Sequence, residues 1–212
     1  MRKSIPVARL EHKDVPLLFE LVAGFLRYPL QSIAVRGDTR ILRRKKLALF
    51  SSRKCPGEII LKTFDLARHL RDHGVTVVSG FHSPMEREVL RILLRGKQPV
   101  VWCRARSIDN MRIAKDWKPA LEEGRLLFLS PFREKENRVT RARAAIRNRL
   151  VAALAGDLFF TYASPGGETE KLAKEALQST RDRKRIFTLE SEYNEPLIRL
   201  GAKPVTAESF TL

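Results

Sequence analysis

A chain of 212 residues with 43% apolar content is long enough to bury one core of ordinary size. Its 41 Lys and Arg against 24 Asp and Glu leave a net charge of +17, an excess that points to nucleic acid, nucleotide or another anionic partner. Cys55 and Cys103 lack CxxC or metal-type spacing, no apolar run approaches about 18 residues, and MRKSIPVARLEHKD lacks the apolar core of a signal peptide. These features argue against a disulfide framework, a zinc site, a membrane span and export; the expectation is a cytoplasmic protein with no metal and no cofactor.

Residues 1–46 read as an extension, with a helix over VPLLFELVAGFL (15–26) and an extended lead-in docking on the sheet of the main domain. LALFSS (47–52) is a continuous apolar strand, and RKCPGE turns into a helix from about Pro56. That helix directs Ile59, Leu61, Phe64, Leu66, Ala67 and Leu70 mainly toward a core, and Gly74 stops it. Strands follow at 75–80, 99–103, 125–130, 157–163 and 184–190. The segments between them read as PMEREVLRILLRG, an irregular IAKDWKPALEEG, TRARAAIRNRLVAALAG and GETEKLAKEALQST. Strands separated by helices of this length need crossover connections. The fold class is therefore α/β: a doubly wound, mostly parallel Rossmann-like sheet with helices on both faces, occupying 47–212.

In such sheets ligands lie beyond the carboxyl ends of the strands, near the point where strand order reverses. SSRKCPG, SGFHSPM and SPGGET all follow strand ends and open helices, whose backbone N–H groups favour anions. Ser51, Ser52, Ser79, Gly80, Ser164, Gly166 and Gly167 are small enough to admit a phosphate, with Arg53 in the first turn and His82 in the second. Arg138, Arg141, Arg143, Arg147 and Arg149 then follow one another with no acidic residue between them. Arg143 and Arg147 share a helix face, and like charges so placed call for a relieving anion. RILRRKK (40–46) offers a further basic track. His69 and His73 stand four apart without a third metal ligand, Cys55 is an ordinary thiol, and Trp102 and Trp117 read as packing residues.

In order, AVRGD (34–38), LALFSSR (47–53), HGVTVVSG (73–80), IRNRLVAALAGD (146–157) and PGGETEKLAKEAL (165–177) resemble the Rossmann-like domain of the DNA-processing protein A family, DprA or Smf. The likeness covers about residues 28 to 190. It implies binding of single-stranded DNA and its transfer to a RecA-type recombinase, and it admits a homodimer. It also implies that Arg53, Arg147 and Arg149 meet phosphates, with Ser52, Ser79, Gly80 and Asn148 shaping the pocket and Thr169 in the glycine turn. The chain departs from the family pattern at FHSPMER (81–87), after Ser79-Gly80, and at Ala144, where the family usually has phenylalanine. A second resemblance is to nucleotide hydrolases of the LOG type, whose Pro-Gly-Gly-x-Gly-Thr motif is broken here as PGGETEKL. That resemblance implies Glu168 or Glu170 as the catalytic acid of a nucleoside-monophosphate hydrolase; a non-catalytic nucleotide sensor is the third reading.

Overall fold

Among the described residues, nine strands build one sheet: β1 (Ala8–Glu11), β2 (Ser32–Arg36), β3 (Leu47–Ser51), β4 (Val77–Ser79), β5 (Val100–Cys103), β6 (Leu126–Ser130), β7 (Asp157–Tyr162), β8 (Arg185–Leu189) and β9 (Lys203–Val205). Their order is β1-β2-β6-β5-β4-β3-β7-β8-β9. The computed structural model describes residues 5–16, 19–20, 22, 30–178 and 184–212. From β6 to β9 all neighbours run parallel, while β1 and β2 add antiparallel strands at one edge. Strand order reverses at β3, between the β4–β5–β6 arm and the β7–β8–β9 arm.

The six central strands coincide with the six apolar runs, each trimmed by one to three residues. β1, β2 and β9 are additions: the extended lead-in is a strand of the sheet itself. Of the helix expected over 15–26, Pro16, Phe19, Glu20 and Val22 are helical, and residues 17, 18, 21 and 23–26 lie outside the described residues. The last two residues of GETEKLAKEALQST lie outside them too.

Helices cover both faces because successive strand residues point to opposite sides. Leu47 and Leu49 pack with α1 (Gly57–Asp72) and α2 (Pro84–Leu93); Ala48 and Phe50 pack with α4 (Arg141–Leu154) and α5 (Glu168–Gln178). Two short helices, α3 (Lys118–Glu122) and α6 (Glu195–Arg199), complete the layers. On α1 the buried stripe is Ile59, Thr63, Leu66, Ala67 and Leu70. Leu61 lies about 200° round the helix from Ile59, so, contrary to the sequence reading, it is 65% exposed. Among the described residues, no helix is long and apolar enough to cross a membrane.

Candidate nucleic-acid interface

Several backbone donors at the strand exits already have partners inside the protein. Glu86, buried in the first turn of α2, accepts from Ser51 N (3.1 Å) at the β3 exit and from His82 N (2.7 Å) and Ser83 N (3.2 Å) at the β4 exit. With Ser83 it forms a capping box. At the third turn Glu170 accepts from Gly166 N at 2.9 Å, and Gly167 N donates to Ser164 O at 3.0 Å. Thr169 stands beside Glu170 in the first turn of α5. The serines knit the β3 and β7 exits together: Ser52 N donates to Tyr162 O, Ser164 N donates to Ser52 Oγ (2.8 Å), and Ser51 Oγ meets Cys55 Sγ (3.3 Å). All three expected anion turns thus give backbone N–H groups to a carboxylate of the protein, Glu86 at the first two and Glu170 at the third.

The arginine run resolves into separate partnerships. Arg141 pairs with Glu168 (2.5 Å), Arg149 with Glu175 (3.0 Å) and Arg143 with Glu136 (3.5 Å), so carboxylates outside the run supply the relief assigned to an external anion. Arg147 differs. It is 4% exposed, its Nε donates to Asn148 Oδ1 (2.8 Å) and its Nη1 to Cys103 O (3.4 Å). Among the described residues no carboxylate pairs with it. Burial lowers its pKa, and Glu86 partly opposes the shift.

Arg147 reaches from α4 over the carboxyl edge of the sheet into a cavity of about 790 Å³ beyond β4 and β5. Arg87, Arg91 and Arg95 enter from α2 and the turn after it, and Arg104 and Arg106 from the segment after β5. Gly80, Phe81 and His82 form the loop wall; Trp102 and Trp117 add aromatic surface. Asp116 is the single acidic residue among those lining it, and of the arginines Arg91 alone is ion-paired among the described residues, with Glu88. Burial, then Arg106, Arg147 and Arg87, pull the pKa of Arg104 down to about 10. His82 is lowered by burial and then by Arg147, Arg87, Arg53 and Arg104. Positive groups from both helix layers therefore repel one another here, an arrangement that an anion relieves.

The loop wall is braced by hydrogen bonds and a ring contact. Trp102 Nε1 donates to Gly80 O (2.8 Å), and Phe81 N to Ser79 Oγ (3.3 Å). Phe81 holds φ at 43°, a left-handed conformation uncommon for a bulky residue, with its ring edge-on to Trp102.

Of the sequence-derived candidates, Gly80, His82 and Arg147 line this cavity, while Arg53 is exposed nearby and acts on His82 through its charge. Ser51, Ser52 and Ser164 lie at the strand reversal, and Arg143, Arg149, Gly166, Gly167 and Thr169 do not line the cavity. The basic segment 40–46 is misplaced as a track: it precedes β3 and lies at the amino edge of the sheet, with Lys46 buried against the Leu42 and Arg44 carbonyls. Sequence reading missed Arg87, Arg91, Arg95, Arg104 and Arg106, and treated both tryptophans as packing alone. The i, i+4, i+8 spacing in PMEREVLRILLRG and the pair in CRAR after a strand are the signals that mark them.

A doubly wound sheet with a cationic, aromatic-lined cavity at its carboxyl edge defines a Rossmann-like domain whose chemistry suits an anionic ligand. The chain belongs to the DNA recombination-mediator protein A family, whose model matches residues 12–211. Its fold is similar to that of DNA processing protein A from Streptococcus pneumoniae, at 16% identity and TM-score 0.76 over 97% of this chain and 75% of that one. It is also similar to DNA processing protein A from Helicobacter pylori, a structure described for its single-stranded DNA binding mode. There identity is 23% and TM-score 0.76, over 96% and 93% of the two chains. The Moco carrier protein of Chlamydomonas reinhardtii is a more distant likeness, at 12% identity and TM-score 0.51 over 78% and 92%. Comparison with curated proteins gives no significant match.

Proposed function

We propose that the protein binds single-stranded DNA through its phosphates at the β4–β5 cavity, with Arg147 as the central contact and Gly80 and His82 forming the wall. The observation that carries this reading is a buried arginine, Arg147, which no carboxylate among the described residues pairs with, set among Arg87, Arg104 and Arg106. A buried cation is costly unless something negative meets it. The exposed ladder of Arg87, Arg91 and Arg95 rises about 6 Å per step and gives the strand a path away from the cavity. In this reading Arg53, Ser52, Ser79 and Asn148 support the seat, and the strand passes to a RecA-type recombinase, which the family's description as recombination mediators supports.

The reading is non-catalytic. A hydrolase needs a carboxyl group able to donate a proton near neutral pH. Glu168 is held by Arg141 and Lys171, and Glu170 by Gly166 N and Lys174; both carboxyl groups are shifted down rather than up. The test is a titration with single-stranded DNA, duplex DNA and mononucleotides at two salt concentrations. Single strands are expected to bind most tightly and to weaken steeply with salt, and release of free base from a monophosphate would overturn the non-catalytic reading.

A further inference from the structure

We propose that the cavity is a base seat, in which one unstacked nucleobase of a bound strand lies against the indole of Trp117 while its flanking phosphates meet Arg147 and Arg87. This deepens the single-stranded DNA reading and rests on it.

Size and lining both require more than a phosphate. At about 790 Å³ the cavity falls within the range of pockets that take whole small molecules. Its surface is mixed: Leu90, Leu94, Val139 and Trp117 share it with the arginines. An occupant that satisfies both parts has a flat apolar body joined to a negative group, which is the chemistry of a nucleotide unit. Val139 is 47% exposed, an uncovered apolar side chain at the cavity.

Trp117 is braced for the role. Its ring meets Trp102 edge-on at 4.6 Å and 73°, and lies 6.2 Å from Phe128, so the indole is fixed by its neighbours and only half buried. The guanidinium of Arg104 lies 4.6 Å from the centre of the Trp102 ring and is itself a planar surface on which a base stacks. Stacking of this kind is tolerant of base identity, because every base has a π-face. The seat is therefore expected to read the presence of a base rather than its sequence.

The test compares the wild-type protein's affinity for a thymidine oligomer with that for an abasic oligomer of equal length and charge. The abasic strand is expected to bind about tenfold or more weakly. Equal affinities overturn the base seat. Trp117→Ala is expected to bind both strands alike, at the affinity of the abasic one; discrimination that survives in a folded Trp117→Ala protein places the base elsewhere and also overturns it. Should that variant lose its folded circular dichroism spectrum, the wild-type comparison still decides. Failure of the wild type to bind either strand overturns the single-stranded DNA reading itself, and the base seat with it.

Discussion

The guanidinium of Arg147 occupies the space that a side chain on Gly80 would take. An ideal Cβ built on Gly80 falls 1.8 Å from Arg147 Nη1 and 2.1 Å from Cζ. The Gly80 carbonyl is held by Trp102 Nε1, so the loop resists moving away. Glycine at the β4 exit is therefore the condition for a buried charge delivered by α4.

Gly80→Ala should displace that guanidinium and reproduce the binding defect of Arg147→Ala to within about twofold, at a stability cost of about 1–3 kcal/mol for the forced repacking. Titration with single-stranded DNA and a urea melt measure the two effects separately. Wild-type binding by this variant would show that Arg147 does not act from its buried position against Gly80.

The two basic segments should behave differently. Arg87→Ala with Arg95→Ala removes two phosphate contacts and is expected to flatten the log–log salt dependence of single-strand binding by about 1.4, from about 0.7 per contact. Arg43→Ala with Arg44→Ala changes exposed charges at the opposite edge of the sheet and should leave the slope near its wild-type value. Equal flattening by both pairs would mean diffuse attraction to the whole basic surface.

Glu86 holds three backbone N–H groups from two strand exits. Glu86→Ala leaves them without that acceptor, and the expected loss is at least about 3 kcal/mol, given roughly 1.5–3 kcal/mol for a hydrogen bond to a charged group. Glu86→Gln keeps one acceptor oxygen and should lose less. Denaturant unfolding of the two variants ranks them; an alanine variant as stable as wild type contradicts the role.

His82 supplies the pH dependence. Burial and four arginines hold its pKa below the ordinary histidine value in the free protein, and a bound phosphate raises it. The added affinity is complete below the free-state pKa and disappears as pH rises through the bound-state pKa. Binding should therefore strengthen from pH 7 to pH 5, and His82→Ala should remove that component. Without ligand the sign reverses: the unfolded chain takes up this proton more readily, so this residue's contribution to stability falls as pH drops. Titrations at several pH values, paired with melts, check both signs.

The central strands were legible because a strand covered on both faces reads as an uninterrupted apolar run, as in LLFLS (126–130). β1 and β9 were not: ARLE is largely exposed, and KPV carries a proline, which suits an edge strand but reads as a loop. Gly80, His82 and Arg147 were legible from local motif. The arginines of PMEREVLRILLRG and CRAR are visible in the sequence, but the meeting of Arg87 and Arg104 with Arg147 was not, because only the packing of α2, α4 and the β5 exit at one sheet edge brings them together. The filling of the β4-exit donors had a local signature in SPME (83–86), a capping box. The long-range bond from Ser51 N to Glu86 had none.

The most direct test is a salt series of single-stranded DNA titrations on the wild type and on Arg147→Ala, each checked for folding by thermal melt. The wild type should bind with a log–log slope of about −3, as expected for four to five phosphate contacts. Arg147→Ala should stay folded, bind at least about tenfold more weakly at low salt, and lose about 0.7 of the slope. A folded Arg147→Ala protein that binds with wild-type affinity and slope would contradict the account.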